Sequence, residues 1–180
     1  MKTRIFRKLP EGSQYRATTS PVGPLHLVAG NNALHAIIWE CDLEKPVTAA
    51  TIAALPRATR PHGVLDTAEE QLDEYFNGTR HTFDLPLAPM GTDFQRAAWF
   101  ALMDIPYGET TSYEAQAIRL GGREKTRAIG TANGMNPISI IMPCHRVVGK
   151  KGALTGFGGG FEAKAFLLEH EARTAGRTLC

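Results

Sequence analysis

In the first part of the chain, apolar residues fall into short runs bounded by turn formers. Tyr15–Ala29 is rich in Val, Thr and Leu and is interrupted by Pro21, Gly23 and Pro24. A second run, Ala33–Trp39, follows Asn31-Asn32, a dipeptide suited to a tight hairpin turn. The pattern predicts strands paired antiparallel. Residues 45–63 are mostly Ala, Thr and Pro without a clean period and read as a poorly specified helix or loop. Leu65, Ala68, Leu72 and Phe76 then share one helical face, so the spacing predicts a helix over 66–76 that stops at Asn77-Gly78. His81–Leu87 is expected to add one more strand.

Pro86, Pro89 and Gly91 mark a linker, and with it two domains, 1–88 and 89–180. Beyond the linker the period changes to that of helices. Thr92 and Gln95 have capping-box spacing, and Phe94, Ala97, Ala98, Ala101, Leu102 and Ile105 follow one face until Pro106. Thr111 with Glu114 suggests a second box, opening a short helix that runs through Leu120 to Gly121-Gly122. A third helix, 124–133, must end before Pro137. Two short helices around a glycine turn, the second carrying basic residues, outline a helix-turn-helix. Along 127–134 almost every residue beside Arg127 is small. Glycine and threonine are poor helix formers, so something must approach this backbone closely, either a neighbouring helix or a nucleic-acid groove.

Composition narrows the class. With 180 residues, 43% of them hydrophobic, and 20 Lys+Arg against 18 Asp+Glu, the chain is neither disordered nor collagen-like. No stretch approaches the roughly 18 apolar residues of a membrane span and no signal-peptide pattern opens the chain, so a cytoplasmic protein without a membrane partner is expected. The near-neutral total hides an asymmetry: residues 119–151 hold seven basic side chains and one acidic, a net +6. That density suits a polyanion, and it also suits an ordinary solvated face.

Cys41, Cys144 and Cys180 are odd in number and irregularly spaced, so neither a disulfide framework nor a zinc site is suggested, and no cofactor or metal is expected. Cys41 and Cys180 have no motif around them. Cys144 does: after the β-branched run Ile138–Met142, Pro143 fixes the backbone before the thiol, and His145 and Arg146 can favour a thiolate. The glycine-rich stretch 156–160 is a candidate pocket wall. Against this stands the reading of Cys144 as a small buried hydrophobe. On an extended strand His145 would also point away from Cys144, so a turn or a bridging water would have to connect them.

The run Asn136-Pro137-Ile138-Ser139-Ile140-Ile141-Met142-Pro143-Cys144-His145-Arg146-Val147, with Arg127-Ala128-Ile129-Gly130 before it and Lys164 through Leu167-Leu168-Glu169-His170-Glu171 after it, resembles the O6-alkylguanine-DNA alkyltransferases. The resemblance is strong from about Thr92 to Glu171. It implies an α/β domain of ribonuclease H-like shape without nuclease function, followed by a mainly α domain with a helix-turn-helix and the reactive cysteine. It also implies direct-reversal repair of double-stranded DNA containing O6-alkylguanine, and of O4-alkylthymine, by base flipping through the minor groove.

The same resemblance implies the site. Cys144 is the nucleophile, His145 the base acting through a water, and Glu171 the buried acid that orients it. Tyr113 donates toward the base and contacts phosphate. Arg127 fills the gap in the stack, with Ala128 and Gly130 beside it in the groove. Asn136 lies at the hinge between recognition helix and active-site strand, and Lys164 is near the pocket. Backbone groups of Cys144, Val147, Phe157 and Gly158 read the guanine edge. These groups cannot hydrolyse the thioether product, so each molecule acts once. Gly158, where relatives often carry serine, and the glycines after it point to a pocket that accepts alkyl groups larger than methyl. Cooperative assembly along DNA stays open.

Three rivals remain: a lesion-binding relative without transfer, which would lack the thiol; a thiol hydrolase using a histidine such as His62 or His81; and a helix-turn-helix regulator, which would leave residues 143–147 unexplained.

Overall fold

The computed structural model describes residues 9–176, which divide into two compact units at Met90/Gly91. In the first, β1 (Gln14–Thr18), β2 (Leu25–Ala29) and β3 (Leu34–Trp39) form an antiparallel sheet in that order. The Asn31-Asn32 turn is closed by Gly30 N donating to Ala33 O at 3.1 Å. The residues before it form two strands, parted by a turn in which Ser20 Oγ donates to Gly23 O (2.6 Å).

Both sheet faces are covered. Val28, Ala36 and Ile38 pack with Ile52 of α1 (Pro46–Ala53). The alternate set, Leu25, Leu27 and Ile37, is also fully buried, and α2 (Gly63–Phe76) packs on β2 and β3. The strand expected at 81–87 is absent. Gln71 on α2 donates to Asp84 O (2.7 Å) and accepts from Asp84 N (2.8 Å), so a side chain satisfies this backbone and only Leu87 bridges Leu34 of β3.

In the second unit the capping box forms as its spacing predicts: Thr92 Oγ1 accepts from Gln95 N (3.2 Å) and Gln95 Oε1 from Thr92 N (2.9 Å). It opens α3 (Asp93–Phe100), which tightens into a 3₁₀ turn over Ala101–Asp104 before Pro106. The second box is displaced by one residue. Ser112, not Thr111, caps α4 (Tyr113–Arg119) by accepting from Ala115 N, because Thr111 and Ser112 form β4, parallel to β5 (Val147–Val148). Glu114 instead pairs with Arg123 at 2.5 Å. A 3₁₀ turn, Arg123–Lys125, leads into α5 (Thr126–Gly134), and the last element is α6 (Gly160–Thr174). No helix among the described residues is long and apolar enough to cross a membrane.

Helices α3, α4 and α5 meet around Ala98, Ala117, Ile129 and Ala132. A buried polar network locks them. Trp99 Nε1 donates to Ala132 O (2.8 Å), Gln116 Nε2 to Ala98 O (3.0 Å), and Asn133 Nδ2 to Gln116 Oε1 (2.7 Å). Each bond ties one helix to another, so they fix where α5 sits. Replacing Asn133 by Ala removes the donor facing a buried amide oxygen, and a loss of about 1–3 kcal/mol is expected in urea denaturation.

Candidate active site

The turn that carries the thiol is held from one residue upstream. Asn136 Nδ2 donates to Met142 O (2.7 Å) and its Oδ1 accepts from Ile138 N (3.0 Å), pinching residues 137–142 into a loop. The β-branched run Ile138–Met142 is therefore a loop and not an extended strand. Within the loop Ile140 sits at φ +80°, a conformation that costs a non-glycine residue about 1–3 kcal/mol. Its fully buried side chain anchors it there.

Cys144–Arg146 then form a 3₁₀ turn. At three residues per turn, consecutive side chains diverge by about 120° rather than alternating. The conflict between Cys144 and His145 on an extended strand disappears. All three residues are buried; Cys144 retains 5% exposure and His145 none.

Behind the turn lies Glu171 of α6, itself 1% exposed. Its Oε1 accepts from His145 Nε2 (2.7 Å) and Arg146 Nη2 (3.0 Å). Its Oε2 accepts from Arg146 Nε (2.9 Å) and Gly108 N (3.1 Å). Burial pushes the carboxyl up, but His145 and Arg146 outweigh it and hold Glu171 well below the usual carboxylate range. Burial pushes the His145 imidazole down and Glu171 pulls it up; with Arg146 and Lys164 acting on the side of burial, the balance lies below the usual imidazole value. An ionised carboxylate has no proton to donate, so in a neutral His145 the proton is on Nε2 and Nδ1 carries the lone pair. That Nδ1 is buried without a hydrogen-bond partner among the described residues.

Two more groups sense the thiol. Lys164 of α6, fully buried, donates from Nζ to Val147 O (2.7 Å) and Thr155 O (3.1 Å), tying β5 to the loop before α6. Burial lowers its pKa, while the negative charge of a Cys144 thiolate acts the other way. Tyr113 Oη accepts from Thr155 Oγ1 at 2.9 Å, and burial raises the phenol above its usual value, so it keeps its proton.

An open cleft of about 380 Å³ lies between Tyr113, Thr155-Gly156 and the residues Arg127, Gly130 and Gly134 of α5. Cys144 does not line this cleft. Arg127, Ala128 and Thr131 are the exposed residues of α5, and Arg127 also borders a second cleft with Phe94. A Cβ on Gly130 would touch the Tyr113 ring only at 3.8 Å, and one on Gly134 would meet nothing within 4 Å. Neighbouring helices do not require these glycines.

Residues 93–173 match the family described as 6-O-methylguanine DNA methyltransferase, DNA binding domain, and residues 14–89 match 6-O-methylguanine DNA methyltransferase, ribonuclease-like domain. A methylated-DNA–protein-cysteine methyltransferase of Mycobacterium bovis is 43% identical over 161 residues, covering 89% of this chain and 93% of its own. One of Methanosarcina acetivorans is 40% identical over 157 residues, covering 87% and 97%. The crystal structure of Mycobacterium tuberculosis O6-methylguanine methyltransferase superposes with a TM-score of 0.79 at 42% identity over 90% of this chain and 94% of that one. A crystal structure of the Mycobacterium tuberculosis OGT in complex with DNA gives the same TM-score and identity, over 89% and 94%. The chain belongs to the methylated-DNA–protein-cysteine methyltransferase family.

In this methyltransferase the structure brings Cys144, His145 and Glu171 into one buried cluster with Lys164 and Tyr113 close by. Arg127, Ala128 and Gly130 lie together on α5. The Phe157 and His145 rings are close to perpendicular with centroids 6.3 Å apart, Val147 offers its carbonyl to Lys164, and Gly158 lies in the turn before α6. Asn136 pins the reactive loop. His62 and His81 belong to the other unit, where His62 caps α2. Cys41 is also in that unit, and Cys180 lies outside the described residues. Sequence reasoning missed Gly108, Thr155 and the two-point pairing of Arg146 with Glu171. No motif signals them, because each acts through backbone groups or through a partner distant in the chain.

The folded protein keeps His145 neutral where an unfolded imidazole would take a proton, so the unfolded state binds more protons below about pH 6.5. Stability should therefore decline as pH falls through that value. A second decline should come near the ordinary glutamate pKa of about 4.3, where Glu171 stays ionised only in the fold. Urea midpoints measured against pH should show both, and His145→Asn should lose the first.

Proposed function

We propose that this protein repairs DNA by moving the alkyl group of O6-alkylguanine, and of O4-alkylthymine, onto Cys144 in one irreversible step. The observation that carries the reading is a buried thiol next to a neutral histidine whose lone pair is unclaimed, on the same unit as a cleft bordered by Arg127. A target atom inside a duplex must be rotated out of the stack, which costs a few kcal/mol. Arg127, exposed at the head of α5, fills the space left behind. The small exposed face of this helix, with glycines that packing does not demand, suits a minor-groove floor. Helices α4 and α5 act as a helix-turn-helix whose second helix reads the groove, and the DNA complex of the Mycobacterium tuberculosis relative supports DNA as the partner.

Cys144 passes its proton through a water to His145 Nδ1, and Glu171 holds the imidazolium that forms. Lys164 favours the thiolate. Sulfur then attacks the saturated carbon: the S–C bond forms as the C–O6 bond breaks, and the departing base takes the phenol proton of Tyr113, which regains one from solvent. The product thioether has no group nearby that could cleave it, so the protein is consumed as it reacts.

Incubation with a duplex containing O6-methylguanine should place one methyl group per molecule on Cys144, located by peptide mass spectrometry, and none in Cys144→Ala. Turnover, or a methyl group on another residue, would reject the reading. Arg127→Ala should slow transfer from duplex DNA by about tenfold or more, equivalent to about 1.4 kcal/mol, while transfer from free O6-benzylguanine stays near that of the unaltered protein. Equal losses would remove Arg127 from this role.

A further inference from the structure

We propose that Arg146 is a positioning residue for alkyl transfer: by pairing with both carboxylate oxygens of Glu171 it cancels the charge behind His145 and leaves the imidazole neutral and able to accept the Cys144 proton. The inference rests on the assignment of His145 as the base.

The geometry excludes a casual surface pair. Arg146 is 6% exposed and meets Glu171 at two points, Nε to Oε2 at 2.9 Å and Nη2 to Oε1 at 3.0 Å. Its remaining arm donates from Nη1 to Ile105 O at 2.6 Å, and the guanidinium lies 5.6 Å from the centre of the Tyr107 ring. The loop after α3 thus grips the arginine through Ile105 and Tyr107, and the carboxylate through Gly108 N. A Cβ on Gly108, which has φ +72°, would come within 2.9 Å of Ala175, so the grip depends on a residue without a side chain.

The charged and titratable groups facing His145 are few. Glu171 and Lys164 come from α6, Arg146 and Cys144 from its own turn, and Tyr113 from α4 faces Cys144. The buried carboxylate 2.7 Å from Nε2 pulls the ring toward the imidazolium, a form that cannot take a proton from the thiol, and a cation on the same carboxylate weakens that pull. Lys164 does not supply the cancelling contact, since its ammonium is spent on Val147 O and Thr155 O. Arg146 meets the same carboxylate that His145 meets, and its planar fork spans both oxygens, as a lysine cannot.

The test follows the His145 ring by nitrogen NMR in the full-length protein and the rate of single-turnover methyl transfer from an O6-methylguanine duplex, each as a function of pH. In Arg146→Gln the His145 titration should rise by about one unit or more, a tenfold change in proton affinity. The acid limb of the transfer profile should move with it. Arg146→Lys keeps the charge but not the two-point contact, and should raise the titration by less than Arg146→Gln does; a rise as large as that of Arg146→Gln would overturn the part played by charge. A folded Arg146→Gln protein with an unshifted His145 would overturn the proposal. If that variant fails to fold, the double variant Arg146→Gln, Glu171→Gln removes both charges, and His145 should titrate within a unit of its original value; a larger shift in either direction overturns the cancellation. Methyl groups found on a residue other than Cys144 would defeat the transfer reading, while the ring titration would still decide what Arg146 does.

Discussion

The buried carboxylate of Glu171 is the constraint around which the second unit is built. An anion removed from water is tolerated only when its oxygens are met by donors and its charge by a cation. Here the donors come from two segments, the loop after α3 through Gly108 and the 3₁₀ turn through His145 and Arg146, and they meet a carboxylate carried by a third, α6. Satisfying Glu171 therefore sets the position of the reactive turn. A buried ion pair adds little net stability compared with well-packed apolar groups, which makes chemistry the better reason for its presence: the pair holds an imidazole that donates at one nitrogen and keeps a lone pair at the other.

The same unit also leaves one face of α5 uncovered. Gly130, inside α5, lowers helix stability by about 0.8–1 kcal/mol relative to alanine, and neither it nor Gly134 at the helix end is demanded by a neighbour. The helix persists because its inner face is fastened: Ile129 and Ala132 are buried, Ala132 O takes a bond from Trp99, and Asn133 pairs with Gln116. The uncovered face and the face that fastens the helix are thus on opposite sides of a nine-residue element. The modest net charge of +2 suits a protein that must meet many DNA sites without remaining on them, since affinity rises steeply with each phosphate contact.

Local patterns were legible wherever a few neighbouring residues decide the outcome. The Asn31-Asn32 hairpin, the Thr92/Gln95 capping box, the stop before Pro106 and the family-bearing run around Cys144 could all be read from the chain. Errors arose where a distant partner overrode the local pattern. Gln71 takes the backbone of 81–87 away from the sheet, and Asn136 folds a β-branched run into a loop with Ile140 in a left-handed conformation. The pairing of β4 with β5 moves the cap of α4 from Thr111 to Ser112.

The sequence by itself determined the helical periods, the cationic stretch and the run around Cys144 that carries the family resemblance, since these depend on residue type and short spacing. Only the tertiary structure decided that Cys144 sits on a turn, that Arg146 shares Glu171 with His145, and that Gly108 completes the carboxylate's shell. The reason is physical: the charge state of a buried group is set by what surrounds it in space, and its neighbours here come from segments more than twenty residues apart along the chain.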